Sequence, residues 1–486
     1  MNTKQQRKSL LNWRRTKIIA TVGPVTDSEK SIKALIRSGV NVFRLNMSHG
    51  DHEYHRRVFK KIRKCEELLG AHVAILMDLC GPKIRVGTFI SGSIQLKKNE
   101  RVVISCASGT GDDGLIISQY KQLYKDVKKG ERILLDDGNL ECRVESVSKK
   151  AVHCKVIYGG ELKNNKGLNL PDSIVSVSSF TAKDKKDVQL AMELNSDFVA
   201  LSFVRSAKDI EVLKRFMRRT HKEIPIIAKI EKPEAVRNID EIINSAYGIM
   251  IARGDLGIEM PAEQVPLIQK QIIYKARYSN RPVIVATQMM ESMIENSRPT
   301  RAEVGDVASA AMSSADAVML SAETAAGKHP IKAVMMMDKI LREIEANQWT
   351  LNSFGDVLDH SGEVPSSRRA IAHAANSLAQ ELKLQGIFVP TDSGHTATVL
   401  SATRPSSPLL GVSDNIATCQ KLALHWGVIP IHMKKDKVRD WQVLSQEVCD
   451  NYKLTKTGNR VLLVSGFNDN DALNEPVLKI IRVNKP

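Results

Sequence analysis

No apolar run in this 486-residue chain approaches the roughly 18 residues of a membrane span, so no membrane-crossing segment is expected. The first residues hold no apolar stretch of the secretory-leader kind, and no such leader is expected either. Aromatic residues are scarce, at 5%, and do not interleave with the basic ones, which argues against a base-stacking surface and a nucleic-acid partner. The seven cysteines, at 65, 80, 106, 142, 154, 419 and 449, are scattered without a C-x-x-C pair. That leaves neither a disulfide framework nor a zinc site, and a reducing cytoplasm is the expected compartment. Acidic residues are outnumbered 54 to 71 by Lys and Arg. The surplus is diffuse except for Lys4, Arg7, Lys8, Arg14 and Arg15, which read as a solvated basic tail.

What the chain does have is a repeated alternation of short β-branched runs and helical patterns. The runs are Lys17–Val22, Val42–Met47, Val73–Asp78, Phe198–Phe203, Ile224–Ile230, Gly248–Ala252, Val283–Thr287 and Ala317–Ser321. Eight buried strands with intervening helices, such as Ser28–Ser38 and His52–Leu69, predict an α/β fold of the (β/α)8-barrel type. After Gly81-Pro82 short strands and turns take over until about Ser178, which predicts a small all-β domain inserted in the barrel. Past an irregular stretch that follows Gln348, a new alternation predicts a C-terminal open α/β domain. The expected boundaries are 1–82 with 179–348 for the barrel, 83–178 for the insert and 349–486 for the last domain.

In such a barrel the chemistry lies at the C-terminal strand ends. Those ends carry Arg44, Asn46 and Ser48; Asp78; Ser202; Lys229 and Glu231; Arg253, Gly254 and Asp255; Thr287 and Gln288; and Glu323. A structural barrel needs no polar residue at so many ends. Together they predict one bowl with cations (Arg44, Lys229, Arg253) beside carboxylates (Asp78, Glu231, Asp255), suited to a phosphorylated carboxylate and a divalent metal. Glu231 and Asp255 would share Mg²⁺ (or Mn²⁺), a hard ion that keeps its waters. Lys229 and Glu231 leave their strand on the same face, so the ammonium sits beside the metal and neutralises a transferring phosphoryl group.

The segments Arg44-Leu-Asn-Met-Ser-His-Gly50, Gly81-Pro-Lys-Ile-Arg85, Lys166-Gly-Leu-Asn-Leu-Pro171, Ala228-Lys-Ile-Glu231, Ala252-Arg-Gly-Asp-Leu-Gly257, Ala286-Thr-Gln-Met289, Pro299-Thr-Arg-Ala-Glu-Val304 and Ala317-Val-Met-Leu-Ser-Ala-Glu-Thr324 occur in this order. With them the chain resembles the pyruvate kinases along nearly its whole length. The resemblance implies transfer of the phosphoryl group of phosphoenolpyruvate to ADP, as a homotetramer. It assigns Lys229 to the phosphoryl group and enolate oxygen, and Glu231 and Asp255 to Mg²⁺. It gives amides near Gly254 and Asp255, with Thr287, to the substrate carboxylate, and Arg44 to the phosphate. His49, Arg85 and Lys166 serve the nucleotide, the last two from an insert that closes as a lid against water. Two rivals remain beside it: another Mg²⁺-enolate barrel, such as a lyase or aldolase, and a polyanion-binding second role.

Departures from the pattern carry further expectations. Many relatives need K⁺, held with the help of residues matching Asn46, Ser48 and Asp78, and have an acidic residue where this chain has Lys83. An ammonium about 4 Å from K⁺ repels it by ~4 kcal/mol at an effective dielectric near 20, so Lys83 is expected to replace the ion and K⁺ not to be required. Cys80 reads as an inert thiol, and Ala326 stands where some relatives have a nucleotide-contacting lysine. In the last domain Thr391-Asp-Ser-Gly-His-Thr396 follows a strand and opens a helix. Hydroxyls and free amides there suit a phosphate, so Thr391, Ser393, Gly394, His395 and Thr396 are the expected effector site. The loop 466–471 lacks the pattern that goes with fructose 1,6-bisphosphate, which favours AMP or a sugar monophosphate.

Overall fold

The computed structural model describes residues 14–351, 353–354, 366–434, 447–448, 460–467 and 474–483. Lys4, Arg7 and Lys8, the stretch 355–365 and the loop positions 468–471 lie outside the described residues.

Eight parallel strands close a barrel: β1 (Lys17–Thr21), β2 (Val42–Asn46), β3 (Ala74–Asp78), β4 (Phe198–Leu201), β5 (Ile226–Ile230), β6 (Gly248–Ala252), β7 (Val283–Ala286) and β8 (Ala317–Leu320). Each lies within two residues of the run expected from sequence, because a strand buried on both faces must be apolar throughout. Alternate residues point inward, where Ile19, Val42, Ala74, Leu76, Phe198, Ala200, Ile227, Met250, Ile284, Ala286, Ala317 and Met319 fill the interior. The same period-two rows run on to the polar ends: Val42–Arg44–Asn46, Leu76–Asp78, Ala200–Ser202 and Ile227–Lys229–Glu231. The barrel thus aims these side chains at one mouth before any loop is considered.

Between β3 and β4 the chain leaves to form a six-stranded sheet and a two-stranded ribbon, with their own core around Ile104, Ile133, Cys142 and Val156. Both crossings are pinned by one buried carboxylate. Asp184 accepts the Gly81 N–H at 3.1 Å on the way out and the Thr181 N–H at 2.8 Å on the return. Gly81 has φ +64, and a Cβ there would meet the Phe203 ring at 2.8 Å, so this turn needs glycine.

The C-terminal sheet runs in the order Val428–His432, Leu409–Ser413, Ile387–Pro390, Arg460–Ser465, Val477–Arg482, parallel except for its last pair. It closes the barrel's other end: Ala423 and Leu424 join the interior cluster, and Tyr247 Oη lies 2.8 Å from His425 Nε2. Arg14 and Arg15 belong to this closure and correct the solvated-tail expectation. Arg14 pairs with Asp338 and donates to Gly39 O at 2.6 Å, and Arg15 is buried with its guanidinium 4.7 Å from the Phe354 ring. Their acidic partners lie more than 300 residues away in sequence, which is why no local pattern announced them.

Candidate active site

Lys229 is the hub of the open mouth. Its Nζ lies 2.7 Å from Ser202 Oγ, 2.9 Å from Glu231 Oε1 and 3.3 Å from Asp78 Oδ1. Asp78 gives its other oxygen to Arg44 Nε at 2.7 Å, and Arg44 is steadied by Thr21 Oγ1 at 3.1 Å. Asp78 Oδ1 is buried and meets Lys229 through an ion pair rather than a well-aligned hydrogen bond. Burial pulls the Lys229 ammonium down, yet Asp78 and Glu231 more than offset this and hold it above its ordinary value. Asp78 is held below its ordinary value: burial acts against ionisation, but Lys229 and Arg44 outweigh it.

Glu231 is 1% exposed, and its Oε2 accepts the Phe203 N–H at 2.7 Å. Burial pushes this carboxyl up, Lys229 pulls it back, and the nearby Asp255 adds to the rise. The buried Glu231 and the half-buried Asp255, whose charge is felt at Glu231, offer oxygen donors that suit a hard divalent cation. Among the described residues no group of three His, Cys, Asp or Glu side chains gathers in metal-ligating fashion. A two-carboxylate site fits Mg²⁺, which keeps water and substrate oxygens in its shell.

Asp255 sits on the helix Arg253–Glu259 that follows β6. The Gly254 N–H donates to Thr287 Oγ1 at 2.7 Å, and that hydroxyl donates to Ala286 O at 2.6 Å. Thr287 and Gln288 both have positive φ, 66° and 52°. Non-glycine residues in that region cost about 1–3 kcal/mol each and cluster at functional sites. Arg253 does not face the bowl as a free cation, contrary to the expectation. It donates to Thr287 O at 3.0 Å and Gln288 O at 3.2 Å and pairs with Asp306 at 2.9 Å, so it braces the strained loop. Glu323 is a brace as well, accepting the N–H groups of Ser321 and Met290 at 2.7 and 3.2 Å.

The other expected residues fall in three places. Asn46 lies in register with Asp78, and its Oδ1 accepts the Ser48 N–H at 3.1 Å in a turn that ends with the exposed His49. Arg85 and Lys166 come together in the inserted β domain, where Arg85 bridges to Gly167 and Lys166 Nζ pairs with Asp136 at 2.7 Å. Among the described residues no hydrogen bond or ion pair joins His49 to either. Lys83 is exposed and lines an opening of about 530 Å³ with Asp255, Phe203, Arg205 and Lys232. Asp78 therefore meets Arg44 and Lys229, not Lys83. Cys80 is half-buried and unbridged.

At the C-terminal loop, Gly394 has φ +92 and opens the helix His395–Ala402. Two of the amides expected to be free are met from within the loop: Thr391 Oγ1 accepts from Gly394 N at 2.9 Å and Ser393 Oγ from His395 N at 3.3 Å. Short hydroxyl side chains cap the turn from within. Arg368, 3.0 Å from His395 Nε2, adds a cation that sequence reasoning did not find. At the barrel mouth it also missed Thr21 and Asn169. Thr21 could have been found, since it continues the inward row Ile19–Thr21.

Residues 13–334 match the family described as pyruvate kinase, barrel domain, and residues 369–481 match pyruvate kinase, alpha/beta domain. A pyruvate kinase 2 of Synechocystis is 44% identical over 424 residues, 86% of this chain and 70% of the relative. The pyruvate kinase of Mycobacterium tuberculosis H37Rv is 39% identical over 93% of this chain and 95% of its own. The crystal structure of a pyruvate kinase from Cryptosporidium parvum superposes with a TM-score of 0.89 at 32% identity, covering 98% of this chain and 97% of that one.

Proposed function

The chain belongs to the pyruvate kinase family, enzymes that move the phosphoryl group of phosphoenolpyruvate to ADP (EC 2.7.1.40), and from that premise we propose which of its side chains carry the reaction. Arg44 and Lys229 hold the phosphoryl group, opposite each other across Asp78. Thr287, with amides of the Gly254–Asp255 turn, holds the substrate carboxylate. Glu231 and Asp255 hold Mg²⁺, which when bound neutralises phosphoryl and enolate charge. The P–O bond to the enol oxygen breaks as a bond to a terminal oxygen of ADP forms. Lys229 steadies the enolate left behind, and a proton delivered at its methylene carbon near Thr287 completes pyruvate. Positioning and charge carry such a transfer. Lys166, Arg85 and His49 hold ADP once the lid seats, and the lid keeps out water, the competing acceptor.

The observation that carries this reading is the placement of Lys229 between Asp78, Glu231 and Ser202 at neighbouring strand ends. The enzyme works without K⁺ in this proposal. Asp78, whose charge already meets Arg44 and Lys229, supports that; Lys83, which stands in the place of an acidic residue, would have to turn in from its exposed position to take the ion's place. The C-terminal loop with Thr391, Ser393, Gly394, His395 and Thr396 takes a phosphorylated effector, AMP or a sugar monophosphate, supported by Arg368 beside it. A homotetramer in the cytoplasm is the expected working form. The six described cysteines are free, and no helix among the described residues is long and apolar enough to cross a membrane.

The test is pyruvate formation from phosphoenolpyruvate and ADP with Mg²⁺, in potassium-free buffer and with added K⁺. Equal turnover in both supports the whole proposal, and turnover only with K⁺ removes the Lys83 part. Pyruvate released without ADP would point to a lyase instead.

A further inference from the structure

Glu259 ends the helix that carries Asp255 and is 5% exposed. Its Oε1 receives two donors: Lys232 Nζ in an ion pair, and Asn169 Nδ2 at 3.0 Å. Lys232 is the residue directly after Glu231, and Asn169 is a lid residue three positions after Lys166. One buried carboxylate thus touches the segment after one expected metal ligand, closes the helix of the other, and reaches the lid. Its Oε2 is buried without a hydrogen-bond partner, so Oε1 carries all the bonding, and without Asn169 the carboxylate is oriented by Lys232 alone. A second lid contact reaches the same helix. A Cβ placed on Gly138 would lie 3.4 Å from Ile258 Cγ2, and Gly138 belongs to the turn whose Asp136 pairs with Lys166.

We infer that Glu259 is a positioning residue that fixes Asp255 relative to Glu231 and, through Asn169, ties the metal site to the seating of the lid. The lid residues that meet ADP and the carboxylates that meet the metal are then set by one contact. An unseated lid leaves the metal pair less well aligned, which discourages transfer before water is excluded. The inference rests on the assignment of Glu231 and Asp255 to the metal.

The experiment is direct titration of the full-length protein with Mn²⁺ alone, reading free aqueous ion by electron paramagnetic resonance, with amide hydrogen exchange across residues 253–259. Contacts that orient a metal ligand typically change affinity by about 10- to 100-fold. Asn169→Leu, a substitution in the lid, is expected to weaken Mn²⁺ about ten-fold and to speed exchange in the helix. Asn169→Asp, which sets a carboxylate against Glu259, is expected to weaken it further. Glu259→Gln lowers affinity at least as much, and the double variant Asn169→Leu/Glu259→Gln is no weaker than Glu259→Gln, because both break one path. Asp255→Asn is the control for the premise. If it weakens Mn²⁺ while Asn169→Leu stays within two-fold of wild type, or if the two losses multiply, the coupling is wrong and the metal assignment stands. If Asp255→Asn leaves Mn²⁺ binding intact, the assignment and the coupling fall together.

Discussion

The two ends of the barrel bury charge in opposite ways. At the closed end Arg404, 1% exposed, faces one carboxylate, Asp316, at 2.7 Å. Its remaining donors meet Ser401 O at 2.7 Å and Ser314 O at 2.8 Å, and its guanidinium lies 5.2 Å from the Trp426 ring. Lys17 gives its ammonium to Val428 O at 2.6 Å, and Ala423 and Leu424 fill the space between. At the open end Lys229 stands between two carboxylates, one oxygen of Asp78 lacks an aligned donor, and Thr287, Gln288 and Phe203 hold positive φ. A buried guanidinium held by one carboxylate and two carbonyls, with backbone N–H groups completing that carboxylate, is architecture. Positive φ does not separate the ends, since Arg404 and Ser314 hold it too; the difference is that at the open end one ammonium is shared between two carboxylates in a bowl, the arrangement that suits a substrate.

Three substitutions sharpen that contrast, taken from the largest effect down. Glu231→Gln at the open end is expected to lower kcat/KM for phosphoenolpyruvate about 10³-fold, on the scale of losing a metal's transition-state charge stabilisation. Added Mn²⁺ recovers part of this in steady-state assays. Arg404→Met at the closed end leaves Asp316 buried and unpaired. It is expected to cost about 3–5 kcal/mol of stability in denaturant melts, with kcat per folded molecule unchanged. A large loss of kcat in the folded fraction would break the division of labour between the ends.

The smallest effect concerns His425. Burial chiefly depresses its imidazole from 6.5 to about 4. Above pH 6.5 both folded and unfolded forms are neutral here and no penalty applies. Between 6.5 and 4 the unfolded chain binds a proton that the folded chain refuses, so stability falls as the pH falls through this window. His425→Gln should flatten that part of the melting-temperature profile relative to wild type, and an unchanged slope would place the acid sensitivity elsewhere.

Much of the fold was legible because a period-two pattern determines strands, and strand ends determine what a barrel offers at its mouth. Arg44, Asn46, Asp78, Lys229 and Glu231 were readable by that logic, since each continues an inward row. Arg14 and Arg15 were misread because their partners Asp338 and Glu345 are distant in sequence. Arg253 looked like a substrate cation, and only the path of the Thr287–Gln288 loop reveals it as a brace. Glu259 was invisible for a plainer reason. An acidic residue at the end of a helix looks like solvated surface until Asn169 and Lys232 are seen upon it.

The central claim is that the cluster around Lys229 performs the transfer, and the most direct measurement is kcat for pyruvate formation by Lys229→Met with saturating Mg²⁺, phosphoenolpyruvate and ADP. Loss of a cation placed on a transferring phosphoryl group typically costs about 10³-fold or more, and that drop, with the far-ultraviolet circular dichroism of the wild type, is the predicted result. A folded Lys229→Met enzyme turning over within ten-fold of wild type would contradict the account.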